Sequence, residues 1–324
     1  MDFTLSSAAS TWSAGARLVG TRVTPATTPA DVVAIAADAG LHAADADLML
    51  ATVAVEELAH ASAPASLVLA LHLGVALATP ASARSGLLAT ASVYGMALST
   101  DQVPRLEDGR LWGRATWVAP VGSRASVVVG AVEGDALVAC AVSLGQLGVS
   151  VARVPTAGLE GCPCGHVTFE ASPCERLGPP LPFMARARIL LAAVGLGVGR
   201  RALSEALDSA RGLRGRGAGG EQTVQGLLAD AATELDAARL LTWKAASADV
   251  VSLADASMAK LAATEAAQAA VARATQVLGV MSFQDGHILA RLSQDVRALE
   301  LFAGRTEALR EAVAGEYLPQ APTR

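Results

Sequence analysis

Cys162, Cys164, His166 and Cys174 follow the spacing Cys-x-Cys-x-His-x7-Cys, the one run whose residue types could ligate a metal. Structural zinc sites favour Cys-x2–4-Cys pairs, so the spacing argues for no metal and for thiols on a β hairpin. Arg188 breaks an apolar helical run, either as a group that steadies a site or as an interface arginine. Arg214 and Arg216 stand in a glycine-rich stretch, where they could meet a phosphate or simply be solvated. Gln222 and Gln276 are polar positions on helical faces. Glu300 and Glu307 flank the turn Phe302-Ala303-Gly304-Arg305 and are the carboxylates beside it that could take a proton. Asp285 and His287, ahead of the last helical run, are a further acid–base pair of candidates.

The chain that positions them has 324 residues, 52% hydrophobic and only 17% charged, which excludes a disordered polymer. A net charge of −5 argues against a nucleic-acid partner held by phosphate contacts. Four cysteines in so long a chain are no disulfide framework. The first twenty residues show no basic segment followed by an apolar one, so a cytoplasmic protein without a signal peptide is expected. Residues 61–83 carry no formal charge, yet Pro64, His72 and Pro80 and the high alanine content point to a buried helix and no membrane partner.

Apolar residues recur at helical spacing from Pro29 to about Pro80, predicting two or three helices with breaks at the prolines. From Ser85 to Phe169 the text turns to β-branched runs between Asp-Gly, Gly-Ser and Glu-Gly-Asp turns. Strands are expected at 113–120, 125–132, 136–142, 149–154 and 166–169. From Leu181 onward four long helical stretches, the last interrupted at Ala303-Gly304, describe an antiparallel bundle. The fold class is α+β: an N-terminal helical unit over 1–84, a small antiparallel β unit over 85–178 and a C-terminal four-helix bundle over 179–324.

That order, with five quotable segments, resembles the acyl-CoA dehydrogenase family. LEDGRLWGRATWVAPVGSRASVVVGAV is similar to the family's flavin-facing middle segment, with Trp117 at its centre. ARARILLAAVGLGVGRRALSEALDSA, QTVQGLLADAATELDAARLLTWKAA and ASMAKLAATEAAQAAVARATQVLG resemble its first three bundle helices. QDVRALELFAGRTEALREAVAGEYL lines up with the segment that carries its active-site turn. The resemblance implies FAD held between subunits, an oligomer, and an acyl-CoA thioester that loses an α proton to a glutamate and a β hydride to the flavin.

The departures are as informative as the matches. Where the family's turn has its glutamate, this chain has Ala303; the alternative seat, before the arginine matched by Arg188, is Ala187. A general base is worth about 10² to 10⁴ in rate, so ordinary turnover by this chain alone is not expected. The Gly-Gly-x-Gly after the third bundle helix is Gly279-Val280-Met281-Ser282, the hydroxyl expected two residues after Trp117 is Ala119, and the final Arg-Asp pair is Gln294-Asp295. The N-terminal unit is also shorter than the family's. By resemblance, the cofactor-binding residues would be Trp117, Arg214, Arg216, Gln222, Gln276 and Gly279, and Arg188 the substrate-side residue. The expected function is a base-deficient subunit of a heteromeric FAD-dependent acyl-CoA dehydrogenase for bulky thioesters, with FAD held only in the assembly. The alternatives are a flavin-free scaffold or biosynthetic homologue, and a flavin-dependent monooxygenase of the same fold.

Overall fold

Small polar side chains set the helix starts. In the computed structural model, which describes residues 4–41, 46–79, 93–97, 102–122, 124–213 and 222–318, Ser6, Thr28, Asp47, Ser62 and Ser252 each accept the amide three residues on. Each bond satisfies a donor that a helix end otherwise leaves orphaned. The helices so opened are α1 (Ser7–Arg22), α2 (Pro29–Asp38), α3 (Leu48–Ala61) and α4 (Ala63–Ala78). Pro29 and Pro64 sit in the first turns of α2 and α4, where a missing N–H costs nothing. The sequence signals no element before Pro29. The structure has α1 there because Trp12, Ala16 and Val19, at helical spacing, bury into the core it shares with α3.

The strands are β1 (Val93–Ala97), β2 (Arg105–Glu107), β3 (Arg110–Ala119), β4 (Ala125–Glu133), β5 (Ala136–Ser143), β6 (Val149–Val154), β7 (Cys164–Pro173) and β8 (Glu175–Gly178). Their order is β6-β7-β3-β1-β4-β5-β8, with β2 beside β3 and β4. The sheet is antiparallel in most pairings but not all: β1 and β2 each run parallel to β4. The expected antiparallel unit is borne out in most of its pairings, and the two parallel ones both join strands that are not linked to β4 by a hairpin. Chain-adjacent β7 and β8 lie on opposite sides of this order, so the sheet curls until residues 173–175 bridge its two sides.

The helical remainder is α5 (Leu181–Leu213), α6 (Gln222–Ala246), α7 (Leu253–Leu278), a 3-10 turn (Gly279–Phe283), α8 (Ile288–Leu301) and α9 (Thr306–Tyr317). α5 is long and apolar enough to cross a membrane, but 78% of its apolar window is buried inside the protein, so it is a core helix. One apolar core runs through α1–α4 and the bundle, and a second fills the curled sheet.

Close approach of α3 to α5 depends on Gly197. A Cβ there would lie 2.3 Å from the Glu56 carbonyl oxygen and 2.4 Å from the Ala59 Cβ. Beside it the buried Glu56 carboxylate accepts from Arg200 at 3.1 Å and Arg239 at 2.9 Å, tying α3 to α5 and α6. Gly197→Val is expected to cost about 1–3 kcal/mol in urea unfolding, because two helix backbones must separate to admit it.

Candidate functional site

α8 and α9 meet at a turn whose shape is fixed from below. Phe302 and Arg305 are extended, while Ala303 and Gly304 take positive φ of 55° and 115°. Two cations from other helices hold its carbonyls. Arg188 of α5 donates from Nε to the Ala303 oxygen at 2.9 Å and from Nη1 to Ser257 Oγ at 2.6 Å. Lys260 of α7 donates from Nζ to the Glu300 oxygen at 3.1 Å and the Gly304 oxygen at 2.8 Å. The Glu300 oxygen is in the last turn of α8, where carbonyls lack intrahelical partners, and the Ala303 and Gly304 oxygens belong to the turn itself.

Gly304 is required at its position. Its φ suits glycine, and a Cβ would lie 2.9 Å from Arg188 Nη2. Lys260 is fully buried and Arg188 nearly so. Burial, reinforced by the neighbouring guanidinium, pushes the Lys260 ammonium from 10.5 down to about 7. Sequence reasoning passed over Lys260. The signal was there: with Ser257, Ala263, Thr264 and Ala267 it lies on the apolar stripe of an alanine-rich helix, where a solvated lysine has no place.

Ala303 and Ala187 are both 1% exposed, and both end in a methyl group with no proton-accepting atom. The Glu300 carboxylate is held by three donors of its own. It accepts from Gln268 at 2.8 Å, Thr306 at 3.1 Å and Arg297 at 3.2 Å, and these donors hold it below the usual carboxylate range although burial opposes them. Glu307 is exposed in the first turn of α9. His287 accepts the Leu289 amide as the cap of α8, and Asp285 is exposed.

Asp295 is the buried carboxylate of α8. It accepts the Leu159 amide at 2.6 Å, and burial raises its pKa. A Cβ on Gly158 would lie 2.4 Å from the Gln294 oxygen, so the β6–β7 loop docks on the helix that leads into the turn.

On the sheet, Thr116 and Trp117 together oppose His166, since the ladder steps from Ala115↔Val167 to Val118↔Gly165. This bulge gives Trp117 a φ of 52° and leaves its indole 38% exposed, edge-on to His166 with centroids 5.6 Å apart. The Thr116 hydroxyl is buried without a hydrogen-bond partner. At the far end of α7, Gln276 and Gly279 are exposed, a Cβ on Gly279 would meet nothing, and Val280, Met281 and Phe283 stand in solvent. Gln222 is exposed at the start of α6, and Arg214 and Arg216 lie outside the described residues. The cysteine run disperses: His166 meets Trp117, Cys174 meets Cys140, and Cys162 and Cys164 are sealed in the core. Among the described residues no three His, Cys, Asp or Glu side chains gather as a metal site would need.

Two cavities flank the first turns of α5. A cleft of about 540 Å³ is lined by residues including Asp47, Met49, Leu77, Arg186 and Asp249. An apolar cavity of about 80 Å³ lies between the sheet and Pro180, Phe183 and Met184.

Residues 181–318 match the family model described as acyl-CoA dehydrogenase, C-terminal domain. The chain is 32% identical over 190 residues to 3-sulfinopropanoyl-CoA desulfinase of Paraburkholderia xenovorans (strain LB400), covering 53% of this chain and 49% of that protein. It is 38% identical over 136 residues to the mitochondrial short-chain specific acyl-CoA dehydrogenase of Homo sapiens, covering 40% of this chain and 33% of that protein. The chain thus spans half or less of the length of these curated relatives. Its fold matches a glutaryl-coenzyme A dehydrogenase solved with glutaryl-CoA at a TM-score of 0.87 and 20% identity, over 98% of this chain and 97% of that one. Residues 181–318 thus form an acyl-CoA dehydrogenase C-terminal domain, and the chain as a whole shares the fold of that family's solved members.

Proposed function

We propose that this chain is the base-deficient subunit of a heteromeric, FAD-dependent acyl-CoA dehydrogenase, working in the cytoplasm beside a partner that carries the glutamate. The observation that carries the reading is a turn still held by Arg188 and Lys260 while both seats of the base are buried methyls. A chain that had lost the whole site would have no reason to keep two buried cations under it, since each costs several kcal/mol to desolvate. The thioester would lie along the first turns of α5, with the cleft at Arg186 open to a bulky ligand. The division near residues 84 and 178 into helical, β and bundle units belongs to the same reading.

The residues fit a flavin unevenly. The bulge that exposes Trp117 beside an unpartnered Thr116 hydroxyl suits a flat, polar-edged ring. The end of α7 offers no backbone cradle for phosphates, and Gln276 and Gly279 face open solvent. When bound, a flavin would supply the two-electron acceptor, and Trp117 with its bulge is what this chain would offer to hold it. A phosphate half supplied by a partner accounts for that asymmetry.

The same bare end of α7 favours a second reading, a flavin-free binding homologue. Purification from the native source separates the two. The first expects a co-purifying acyl-CoA dehydrogenase chain with a glutamate in the turn and a flavin band near 450 nm. A pure, colourless chain that stays colourless after FAD is added, with no such partner, sinks it.

A further inference from the structure

We propose that Cys140 and Cys174 are a reversible disulfide site, closed by a small-molecule disulfide such as oxidised glutathione. The pair is invisible in the sequence run that holds Cys162, Cys164 and Cys174, because its second member comes from β5. Strand register brings it about. Cys140 pairs with Arg176 and Ala141 with Glu175, so Cys174, the residue before β8, shares a sheet face with Cys140. Cys140 is sealed in the core of the curled sheet, and Cys174 packs against that same core from its edge. The two thiols perturb each other's titration, and Cys174 donates to the Gly109 oxygen at 3.8 Å.

Access is asymmetric in a useful way. Cys174 is half-buried and Cys140 fully buried, so an oxidant reaches Cys174 first. The Cys174 thiolate attacks one sulfur of oxidised glutathione, forming a mixed disulfide and releasing one glutathione thiolate. The Cys140 thiolate then attacks the Cys174 sulfur and expels the second glutathione. Two protein thiols are oxidised, one glutathione disulfide is reduced to two thiols, and the protons leave with the glutathione. Burial raises both thiols, Cys140 to about 12, so exchange is slow at neutral pH and quickens in mild alkali. Cys162 and Cys164 also neighbour each other, but at 0% and 2% exposure no oxidant reaches them in the folded chain.

The consequence reaches the site. β8 leads through Pro179 and Pro180 into α5, which carries Ala187 and Arg188. A Cys140–Cys174 bond staples β5 to the segment that feeds this helix.

The test is incubation of the folded full chain with oxidised glutathione at mildly alkaline pH, followed by non-reducing peptide mapping. The expected product is a Cys140–Cys174 linked peptide, a mass loss of about 2 Da and two thiols fewer in titration. Its melting temperature should rise by roughly 5 °C and fall back with dithiothreitol. Cys174→Ser should leave Cys140 reduced, whether or not it alters stability. The proposal is overturned if Cys140 stays alkylatable while the urea-unfolded chain oxidises readily under the same reagent. Linkage of Cys174 to any other cysteine, or between two chains, overturns it equally.

Discussion

Between pH 7 and pH 9 the protein is expected to become more resistant to urea, by up to about 1.4 kcal/mol per pH unit from one group, and Lys260→Met is expected to lose that slope. Lys260 has a folded pKa of about 7 against an ordinary 10.5. Across that window the unfolded chain holds a proton that the folded chain does not, so unfolding takes one up and rising pH removes the drive to unfold. Below pH 7 the ammonium is charged in both states and the burial penalty is felt in full. At pH 9 the neutral amine still donates to the Glu300 and Gly304 oxygens, and the methionine variant leaves both unpaired, at about 1–3 kcal/mol each. The gap between the two proteins therefore widens from pH 6 to pH 9. Burial raises the cysteine thiols, which costs stability above their ordinary 9.0, but that loss is common to both proteins and cancels in the difference. Urea midpoints measured at half-unit steps decide it: parallel curves would mean Lys260 is not the titrating group.

The helices were legible where the apolar stripe was long and the caps conventional. α3 to α7 follow from leucine and alanine spacing with prolines and glycines at the breaks. β3 to β6 follow from β-branched runs between turn pairs, and β6 keeps the expected bounds, 149–154. What stayed hidden depends on tertiary context. β1 is a five-residue strand that pairs with β3 and β4, and β2 and β8 are shorter still, so none spans enough residues to show a period. α1 is rich in Ser, Thr and Gly, and only its packing makes it a helix.

The candidate site is legible in the sequence as departures from the family resemblance, and illegible as a mechanism of support. That Ala303 and Ala187 lack a carboxylate can be read from the text; that Arg188 holds the Ala303 carbonyl needs three helices brought together. The bulge at 116–117 is likewise a two-strand property, since it exists only against His166. Glu300 shows the opposite error. Its nearness to the turn suggests a relocated base, yet three donors engage its carboxylate and keep it ionised and weakly basic.

Ala303→Glu tests whether the seat is intact, and it has two readouts. The left-handed backbone at Ala303 is already borne by a residue with a Cβ, so a longer side chain adds no backbone strain, though at 1% exposure it must displace its neighbours to fit. A carboxylate arriving there opposes the two cations and favours their charged forms. Lys260 should then titrate higher, and the rise in urea resistance should move above pH 7. If FAD and an acyl-CoA thioester also occupy the protein, oxidation of the thioester with a dye as final acceptor should rise by about 10²–10⁴ over the unsubstituted chain. A shifted pH profile without activity means the seat survives but flavin or thioester is not opposite it, which favours the flavin-free reading. Activity with the shift supports a dehydrogenase lacking only its base. No shift and no activity would mean that the new carboxylate does not face Arg188 and Lys260, and the case for a preserved but emptied base seat would fall.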